Sequence, residues 1–407
     1  MKSESNFLVL DDVNLKGKRV ILRSDLNVPM KDGIVTSTAR IEATLPTIKR
    51  ILADGADQLF ITSHLGRPKA GQFDEKYSLR PLVPLLAEGI GCDLDFSQNW
   101  LSAQEQKGLG RVVLCENTRF NEGEKENLPE LARKMGDICD VYVNDAFATA
   151  HRAEASTNGI VSFAPISCAG LLLQKELEVL NRVLNNSKQP LVAVVGGAKV
   201  EGKLELLHSL VEKVDVLIVG GGIANTFLAA SGLDVGKSLY EPHLIEEAKR
   251  VISLAASRGV ALPLPNDCLV GKEFSSETTI AEISVDQVQE DDMILDIGQQ
   301  TSNSYVELLS AAETILWNGP VGAFELEPFS RGTRAIGNAV AESTAYSVAG
   351  GGDTVAALDQ FHLSSKINYI STGGGAFLEF LEGKTLPAVA ALIQAKEVSR
   401  HNDSGKE

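Results

Sequence analysis

The sequence lacks the features of an exported or membrane-bound protein. Its 407 residues contain no apolar run that approaches the roughly 18–20 residues of a membrane-spanning helix. The segment Met1–Asp12 does not have the layout of a signal peptide. The five cysteines form no CxxC pair, so neither a thiolate zinc cluster nor a disulfide framework is indicated. We expect a cytoplasmic protein with reduced thiols and no membrane partner.

Positive charge is also scarce. The chain carries 38 Lys plus Arg against 54 Asp plus Glu, a formal net charge of −16. Such a surface repels nucleic acid unless the few cations are concentrated in one place. No second His or Cys stands at metal-ligand spacing from His64, which disfavours zinc. We therefore expect no nucleic-acid partner, and the placement of the arginines becomes informative.

Short β-branched runs alternate with helical stretches along the chain. Nine such runs predict strands: Arg19–Leu22, Leu59–Thr62, Val112–Leu114, Val141–Val143, Leu191–Val195, Val216–Val219, Thr314–Trp317, Tyr346–Ala349 and Ile367–Ile370. Buried runs that alternate with helices are typical of parallel sheets covered on both faces. The length predicts two or three domains. The expected fold class is α/β, with two Rossmann-like three-layer αβα lobes of mainly parallel sheets and a cleft between them.

A helix near the middle of the chain is expected to join the lobes. Four leucines after Gly170 recur at i, i+4, i+7 and i+11 and share one helical face: Leu173, Leu177, Leu180 and Leu184. We assign 171–186 to this helix. The N-terminal lobe then comprises 1–170 together with the C-terminal segment 388–407, and the C-terminal lobe comprises 187–387.

Polar clusters containing arginine follow four predicted strands of the N-terminal lobe. Their sequences are RSDLNVP, SHLGRP, CENTRF and NDAFATAHR, and a further arginine, Arg40, precedes an amphipathic helix. Ligands of open α/β sheets bind beyond the carboxyl ends of the strands, and the planar fork of arginine grips carboxylate or phosphate. The pattern predicts a pocket for a small polyanion. The alternative is that these arginines pair with surface acids.

Glycine takes the place of arginine at the strand ends of the C-terminal lobe. The segments are VVGGAKVEGK, IVGGGIANTF, WNGPVGAFE, VAGGGDTVAAL and ISTGGGAFLEF. Glycine lets backbone amides approach a ligand, and helix N-termini favour anions, so a phosphorylated ligand is predicted. No segment is a Walker A loop, and Asn225 stands where a Rossmann fingerprint needs its last glycine. The alternative is a set of tight turns.

Three charged residues near these glycines suggest the chemistry. Asp353 either caps a helix or holds Mg²⁺. Lys199 and Lys203 are expected to lie one helical turn apart and to face one site. The two lobes together predict phosphoryl transfer between a nucleotide and an anionic metabolite. A carboxylate acceptor is already ionised and needs no general base, so positioning and charge neutralisation suffice.

The chain closely resembles the phosphoglycerate kinase family, in its bacterial form, over nearly its whole length. The motifs RSDLNVP, SHLGRP, ENTRF, AHR, GGAKV, GGGIANTF, WNGPVG, GGGDT and STGGGA occur in the family's order. The resemblance implies a monomeric enzyme of glycolysis and gluconeogenesis. Its reaction would be reversible Mg²⁺-dependent transfer, 1,3-bisphosphoglycerate plus ADP giving 3-phosphoglycerate plus ATP, in line and with hinge closure.

The resemblance also implies a role for each matching residue. Binding of 3-phosphoglycerate is assigned to Asp25, Leu26, Asn27, Arg40, His64, Leu65, Gly66, Arg67, Arg119 and Arg152. Nucleotide binding is assigned to Gly197, Lys199, Lys203, Gly222, Asn318, Glu325, Gly350, Gly351, Gly352, Asp353 and Thr354. Arg40 and Lys203 would stabilise the transferring phosphoryl group, Asp353 would face Mg²⁺, and further amides near the transfer path would come from Gly373, Gly374 and Gly375.

One residue near the predicted site differs from the residue found in some relatives. Glu154 follows the AHR motif where some relatives carry a neutral residue or His, and we expect its side chain to point outward with little effect on the site.

Two other functions stay open. Another small-molecule carboxylate kinase would use a different acceptor. A non-catalytic nucleotide-binding protein should lack Arg40, Lys203 or Asp353, and all three are present.

Overall fold

The computed structural model describes residues 6–102 and 108–404, and the side chains as far as residue 398. The chain divides into two compact units. The first unit comprises Met1–Glu178 and Thr385–Glu407, and the second comprises Val179–Lys384. The division falls inside the helix that the sequence predicts between the lobes. Within the described ranges, no helix combines the length and apolarity needed to cross a membrane.

The first unit is built on a six-stranded sheet in which every pairing is parallel. Its strands and those of a small hairpin are β1 (Arg19–Arg23), β2 (Met30–Lys31), β3 (Ile34–Val35), β4 (Gln58–Thr62), β5 (Asp95–Ser97), β6 (Val112–Cys115), β7 (Val141–Asn144) and β8 (Ser167–Ala169). The order across the sheet is β5-β6-β4-β1-β7-β8, and β2 pairs with β3. The four strands predicted in this half are therefore direct neighbours. The short strands β5 and β8 at the edges were not predicted.

Helices enclose the core of the first unit. They are α1 (Ala39–Ala53), α2 (Val83–Ile90), α3 (Pro129–Gly136) and the start of α4 (Leu171–Asn185). The last four residues of β1 and all of β6 and β7 are buried, as expected for strands covered on both faces. The Oδ1 atom of Asp145, directly after β7, accepts hydrogen bonds from the N–H groups of Leu172 (2.8 Å) and Leu173 (3.1 Å). This carboxylate satisfies amides at the first turn of α4.

The second unit contains a five-stranded parallel sheet and a three-stranded antiparallel sheet. Its strands are β9 (Leu191–Val195), β10 (Val216–Val219), β11 (Asp267–Gly271), β12 (Ala281–Ser284), β13 (Met293–Ile297), β14 (Thr314–Asn318), β15 (Tyr346–Ala349) and β16 (Tyr369–Ile370). The orders are β10-β9-β14-β15-β16 and β12-β11-β13. The five strands predicted in this half form the parallel sheet. The antiparallel sheet was missed, partly because β12 is mostly exposed and carries no apolar run.

The remaining helices complete the α/β architecture. They are α5 (Leu204–Val211), α6 (Gly221–Ala230), α7 (Ile245–Arg258), α8 (Gln299–Ser310), α9 (Arg331–Glu342), α10 (Gly352–Gln360), α11 (Gly375–Leu381) and α12 (Pro387–Ser404). The predicted leucine face of α4 is confirmed, since Leu173, Leu177, Leu180 and Leu184 are all buried. The predicted α/β class with mainly parallel sheets is confirmed as well.

Candidate active site

The parallel sheet of the first unit brings the four predicted arginine clusters to one edge. They follow β6, β4, β1 and β7, which are consecutive in the sheet and all run the same way. Hydrogen bonds join neighbouring loops: the N–H of Leu26 donates to Ser63 Oγ (2.8 Å) and that of Gly66 donates to Asn27 Oδ1 (2.8 Å). Arg119 Nη1 donates to the carbonyl of Gly66 (2.9 Å). The loops therefore form one connected surface.

His64 shows how strongly positive this surface is. Its side chain is buried, and burial lowers its pKa well below the usual value. Arg23, Arg119, Arg152 and Arg40 each lower that pKa further. A neutral His64 can accept through Nδ1, which lies 3.3 Å from Arg23 Nη2. The crowding of guanidinium groups fits an anion of more than one charge.

Arg40 reaches this edge from α1 and pairs with Asp25 in the loop after β1. The Arg40 side chain stays about one-third exposed, whereas Asp25 is buried. Asp25 Oδ1 also accepts the N–H of Asn27 (3.2 Å), which holds the carboxylate in place. The pair therefore leaves part of an oriented guanidinium open to a ligand.

The other predicted substrate residues differ in exposure. Arg67 is exposed and Arg152 is half-buried, so both can meet a ligand. Leu26 and Leu65 belong to the hydrophobic core of the unit, where they are 0% and 4% exposed. Their side chains pack inward, and a contact with substrate would have to come from their backbone.

The prediction that Glu154 points outward is wrong. Glu154 is buried, and its Oε1 accepts a hydrogen bond from Arg119 Nη2 at 2.7 Å. The side chains of Arg119 and Glu154 are 4% and 6% exposed. The physical reason is the surrounding positive charge, because a carboxylate next to buried guanidinium groups is stabilised where an isolated one would not be.

A second buried carboxylate, that of Glu124, was also not predicted. Arg23, at the end of β1, is fully buried, and its Nε donates to Ser156 Oγ (2.9 Å). Ser156 Oγ in turn donates to Glu124 Oε1 (2.5 Å), and the Ser156 N–H donates to Glu124 Oε2 (3.0 Å). Burial raises the pKa of Glu124, and Arg23 opposes that rise. Glu124 lies in the acidic segment NEGEKEN, which by sequence alone is typical of a solvated surface.

In the second unit, the five glycine segments follow the five strands of the parallel sheet and likewise share one edge. Several of these glycines are needed for backbone packing. A Cβ at Gly196 would collide with the carbonyl of Pro320, and one at Gly222 with the carbonyl of Ala198. Gly352 and Gly374, by contrast, face open space. Packing therefore explains the glycines at 196 and 222, and the close approach of a phosphorylated ligand at Gly352 and Gly374 stays a prediction.

Polar side chains tie these glycine loops together. The N–H of Gly319 donates to Thr354 Oγ1 (2.7 Å), which donates to the carbonyl of Gly350 (2.8 Å). Asn318 Nδ2 donates to the same carbonyl (2.7 Å). Asn318 and Thr354 are buried and hold the loops in position. Their predicted contact with a nucleotide stays a prediction.

Lys203 lies at the centre of this edge. Its Nζ donates to the carbonyls of Gly196 (2.5 Å) and Asn318 (3.4 Å). Burial lowers its pKa to about 8, although Asp353 acts in the opposite direction. Asp353 is exposed in the first turn of α10, and Gly351 rather than Asp353 is the residue at the N-cap.

The prediction that Lys199 and Lys203 lie one helical turn apart is wrong. Residues 196–200 form no helix, a 3₁₀ turn covers Glu201–Lys203, and α5 begins only at Leu204. Glu241 accepts hydrogen bonds from the N–H groups of Val200 and Glu201, which fixes the start of the turn. Lys199 is exposed in the irregular segment before it.

A cavity of about 270 Å³ opens beside these loops within the second unit. Four predicted nucleotide residues line it: Gly197, Gly222, Glu325 and Asp353. Apolar side chains outside the glycine motifs supply much of the remaining wall, among them Leu239, Phe274, Met293, Ile294 and Leu295. A mainly apolar cavity beside polar loops suits a flat aromatic ring that carries a phosphate chain. The sequence offered no signal for these residues because they come from strands and loops far apart in the chain.

Comparisons with known proteins agree on one family. The family model described as phosphoglycerate kinase matches residues 10–384. The phosphoglycerate kinase of Legionella pneumophila strain Paris is 55% identical over 394 residues, which cover 97% of this chain and 99% of that protein. A solved structure of phosphoglycerate kinase from Coxiella burnetii has a TM-score of 0.90 at 50% identity and covers 95% of this chain and 99% of its own. The Pyrococcus horikoshii OT3 enzyme follows, with a TM-score of 0.80 at 34% identity, covering 96% of this chain and 99% of its own.

Proposed function

The chain belongs to the phosphoglycerate kinase family, and on that premise we propose that its two sheet edges bind the two substrates of one phosphoryl transfer. The reaction is 1,3-bisphosphoglycerate plus ADP giving 3-phosphoglycerate plus ATP. The first unit binds the phosphoglycerate through its arginines, and the second binds the nucleotide through its glycine loops and apolar cavity. The observation that carries this assignment is the gathering of arginines from four adjacent strands at one edge.

The acceptor chemistry explains why the site contains no dedicated base. In the direction from 3-phosphoglycerate and ATP, the carboxylate is ionised at neutral pH and one of its oxygens attacks the γ-phosphorus of ATP. The bond between that phosphorus and the β,γ-bridging oxygen breaks, and ADP leaves. The protein then has to hold the two anions together and offset the charge that develops during transfer. Arg40, oriented by Asp25, and Lys203, held between two carbonyls, are the cations proposed for that task. The Gly373 and Gly374 amides follow β16 at the same sheet edge as Lys203 and are proposed as further donors, with the Gly373 N–H required to leave its hydrogen bond to Ser371 Oγ (3.0 Å).

The residues present fit a magnesium ion brought in with the nucleotide. Proteins bind Mg²⁺ through one or two carboxylates together with the phosphates of a substrate. Asp353 offers one exposed carboxylate at the cavity wall, close enough to Lys203 to influence the lysine's pKa. When bound, Mg²⁺ would offset phosphate charge.

We also propose that the protein is a cytoplasmic monomer. The net charge of −16 supports the absence of a nucleic-acid partner.

The activity is tested with purified full-length protein, 3-phosphoglycerate, ATP and Mg²⁺. We expect ADP release that requires all three reagents and that stops when EDTA is added. Acetate in place of 3-phosphoglycerate serves as the control for a less specific carboxylate kinase. Equal turnover with acetate, or nucleotide binding without turnover, would contradict the proposal.

The variant Arg40→Lys tests the transition-state role of Arg40. Lysine keeps the charge but loses the planar fork, so contacts made in the transition state suffer most. We expect kcat to fall at least about tenfold, or roughly 1.4 kcal/mol, with a smaller change in the KM for 3-phosphoglycerate. Arg50→Lys is the matched control, because Arg50 lies on the same helix and its ion pairs within the described part of the chain are with Asp11 and Asp54. An unchanged kcat in Arg40→Lys would remove Arg40 from the catalytic role.

The pH profile tests the charge state of Lys203. Because its pKa is about 8, the side chain loses its proton as the pH rises through that value. If the cation is the active form, kcat/KM for Mg-nucleotide should decline above about pH 8. Lys203→Arg should abolish the decline, because arginine stays protonated, whereas Lys199→Arg should keep it. Persistence of the decline in Lys203→Arg would assign it to another group.

Transfer also requires the two bound substrates to meet. Reacting atoms must come within about 3–3.5 Å, and water must be kept from the acyl phosphate. We propose that the two units close about a hinge when both substrates are bound. Small-angle X-ray scattering should then give a smaller radius of gyration with 3-phosphoglycerate and Mg-nucleotide together than with either one. A constant radius in all four ligation states of an active enzyme would contradict hinge closure.

A further inference from the structure

Glu154 contacts an arginine that the proposed function assigns to the substrate. We propose that Glu154 is an internal competitor of 3-phosphoglycerate. The carboxylate of Glu154 occupies Arg119 and thereby weakens substrate binding. This inference rests on the proposed function, because it takes Arg119 as a substrate-binding residue. It makes Glu154 an affinity-determining residue of the site.

The hydrogen bonds of Arg119 carry the argument. Nη1 donates to the carbonyl of Gly66 (2.9 Å) and Nη2 to Glu154 Oε1 (2.7 Å). A guanidinium grips an oxyanion with two hydrogen bonds through the Nε/Nη2 edge or the Nη1/Nη2 edge, and Nη2 belongs to both. A carboxylate at Nη2 therefore crowds and repels a second oxyanion at either edge.

The ion pair is also incomplete. Among the described residues, Arg119 Nε and Glu154 Oε2 are both buried and neither has a hydrogen-bond partner. A well-formed buried pair of this kind makes two parallel hydrogen bonds, and this one makes a single bond. The unpartnered Nε–H leaves Arg119 with a donor that an incoming phosphate could use once Glu154 moves aside.

Charge acts in the same direction as geometry. Glu154 interacts favourably with Arg152 as well as with Arg119, so it cancels positive charge shared by two proposed substrate arginines. A phosphate group that enters the site meets a negative charge in a buried environment, where repulsion is poorly screened. Binding then requires either displacement of Glu154 or reliance on the remaining cations.

Glu124 provides a matched comparison within the same unit. It is equally buried, but its oxygens accept hydrogen bonds from Ser156, through which it is linked to Arg23. Arg23 is not among the proposed substrate residues. Removal of the Glu124 charge therefore changes the electrostatic potential of the region without freeing a substrate arginine.

The experiment compares Glu154→Gln and Glu124→Gln in the full-length chain. We expect Glu154→Gln to lower the KM for 3-phosphoglycerate at least about fivefold at saturating Mg-ATP, and to leave the KM for Mg-ATP unchanged. Its Tm without ligand should fall, because Arg119 loses a buried partner, and 3-phosphoglycerate should raise that Tm by more than it does in the wild type. Glu124→Gln should change the KM for 3-phosphoglycerate by less than about twofold.

Several results would overturn the inference. A higher or unchanged KM in Glu154→Gln would mean that Glu154 orients Arg119 or only stabilises the fold. Equal decreases in both variants would indicate a general effect of charge. If Glu154→Gln does not fold, Glu154→Asp retracts the carboxylate from Nη2 while keeping its charge, and a KM that does not fall there would likewise refute competition. Absence of wild-type turnover would refute the proposed function instead.

Discussion

Like charges gathered at one sheet edge are the constraint on which the first unit depends. Parallel strands bring their carboxyl ends together, so arginines that are far apart in sequence must share a small, partly buried space. The structure relieves their repulsion in separate ways. Arg40 pairs with Asp25, Arg119 pairs with Glu154, and His64 is held neutral. Each compensating group also orients its arginine, so electrostatic balance and the shape of the site have the same origin.

The second unit is also proposed to bind an anionic ligand, but its sheet edge uses few charged side chains. Its glycine loops approach so closely that a side chain at Gly196 or Gly222 would strike a neighbouring carbonyl. Close approach leaves backbone amides and the cation of Lys203 at the edge, and burial lowers the pKa of that lysine. A nucleotide also offers a flat base, which an apolar cavity can bind without any charge. The two edges thus match the chemistry of the two proposed substrates.

Buried ion pairs in such a site have two opposite effects. A carboxylate beside an arginine offsets the desolvation free energy of the buried guanidinium, but it also competes with the anionic ligand that the guanidinium would bind. Asp25 and Glu154 illustrate the difference. The partner of Asp25 stays one-third exposed, while the partner of Glu154 is almost fully enclosed. The same type of contact therefore orients Arg40 for a ligand and withholds Arg119 from one.

Local patterns in the sequence determined the four central strands of the first parallel sheet, the five strands of the second, the leucine face of α4 and the order of the arginine and glycine loops. These features depend on residues close together in the chain, where the spacing of apolar groups decides the structure. The tertiary structure alone decided the burial of Glu154 and the packing role of Gly196. Those outcomes depend on partners 35 or more residues away, Arg119 and Pro320 respectively. No periodicity links such distant loops, because only the order of strands in the sheet makes them neighbours.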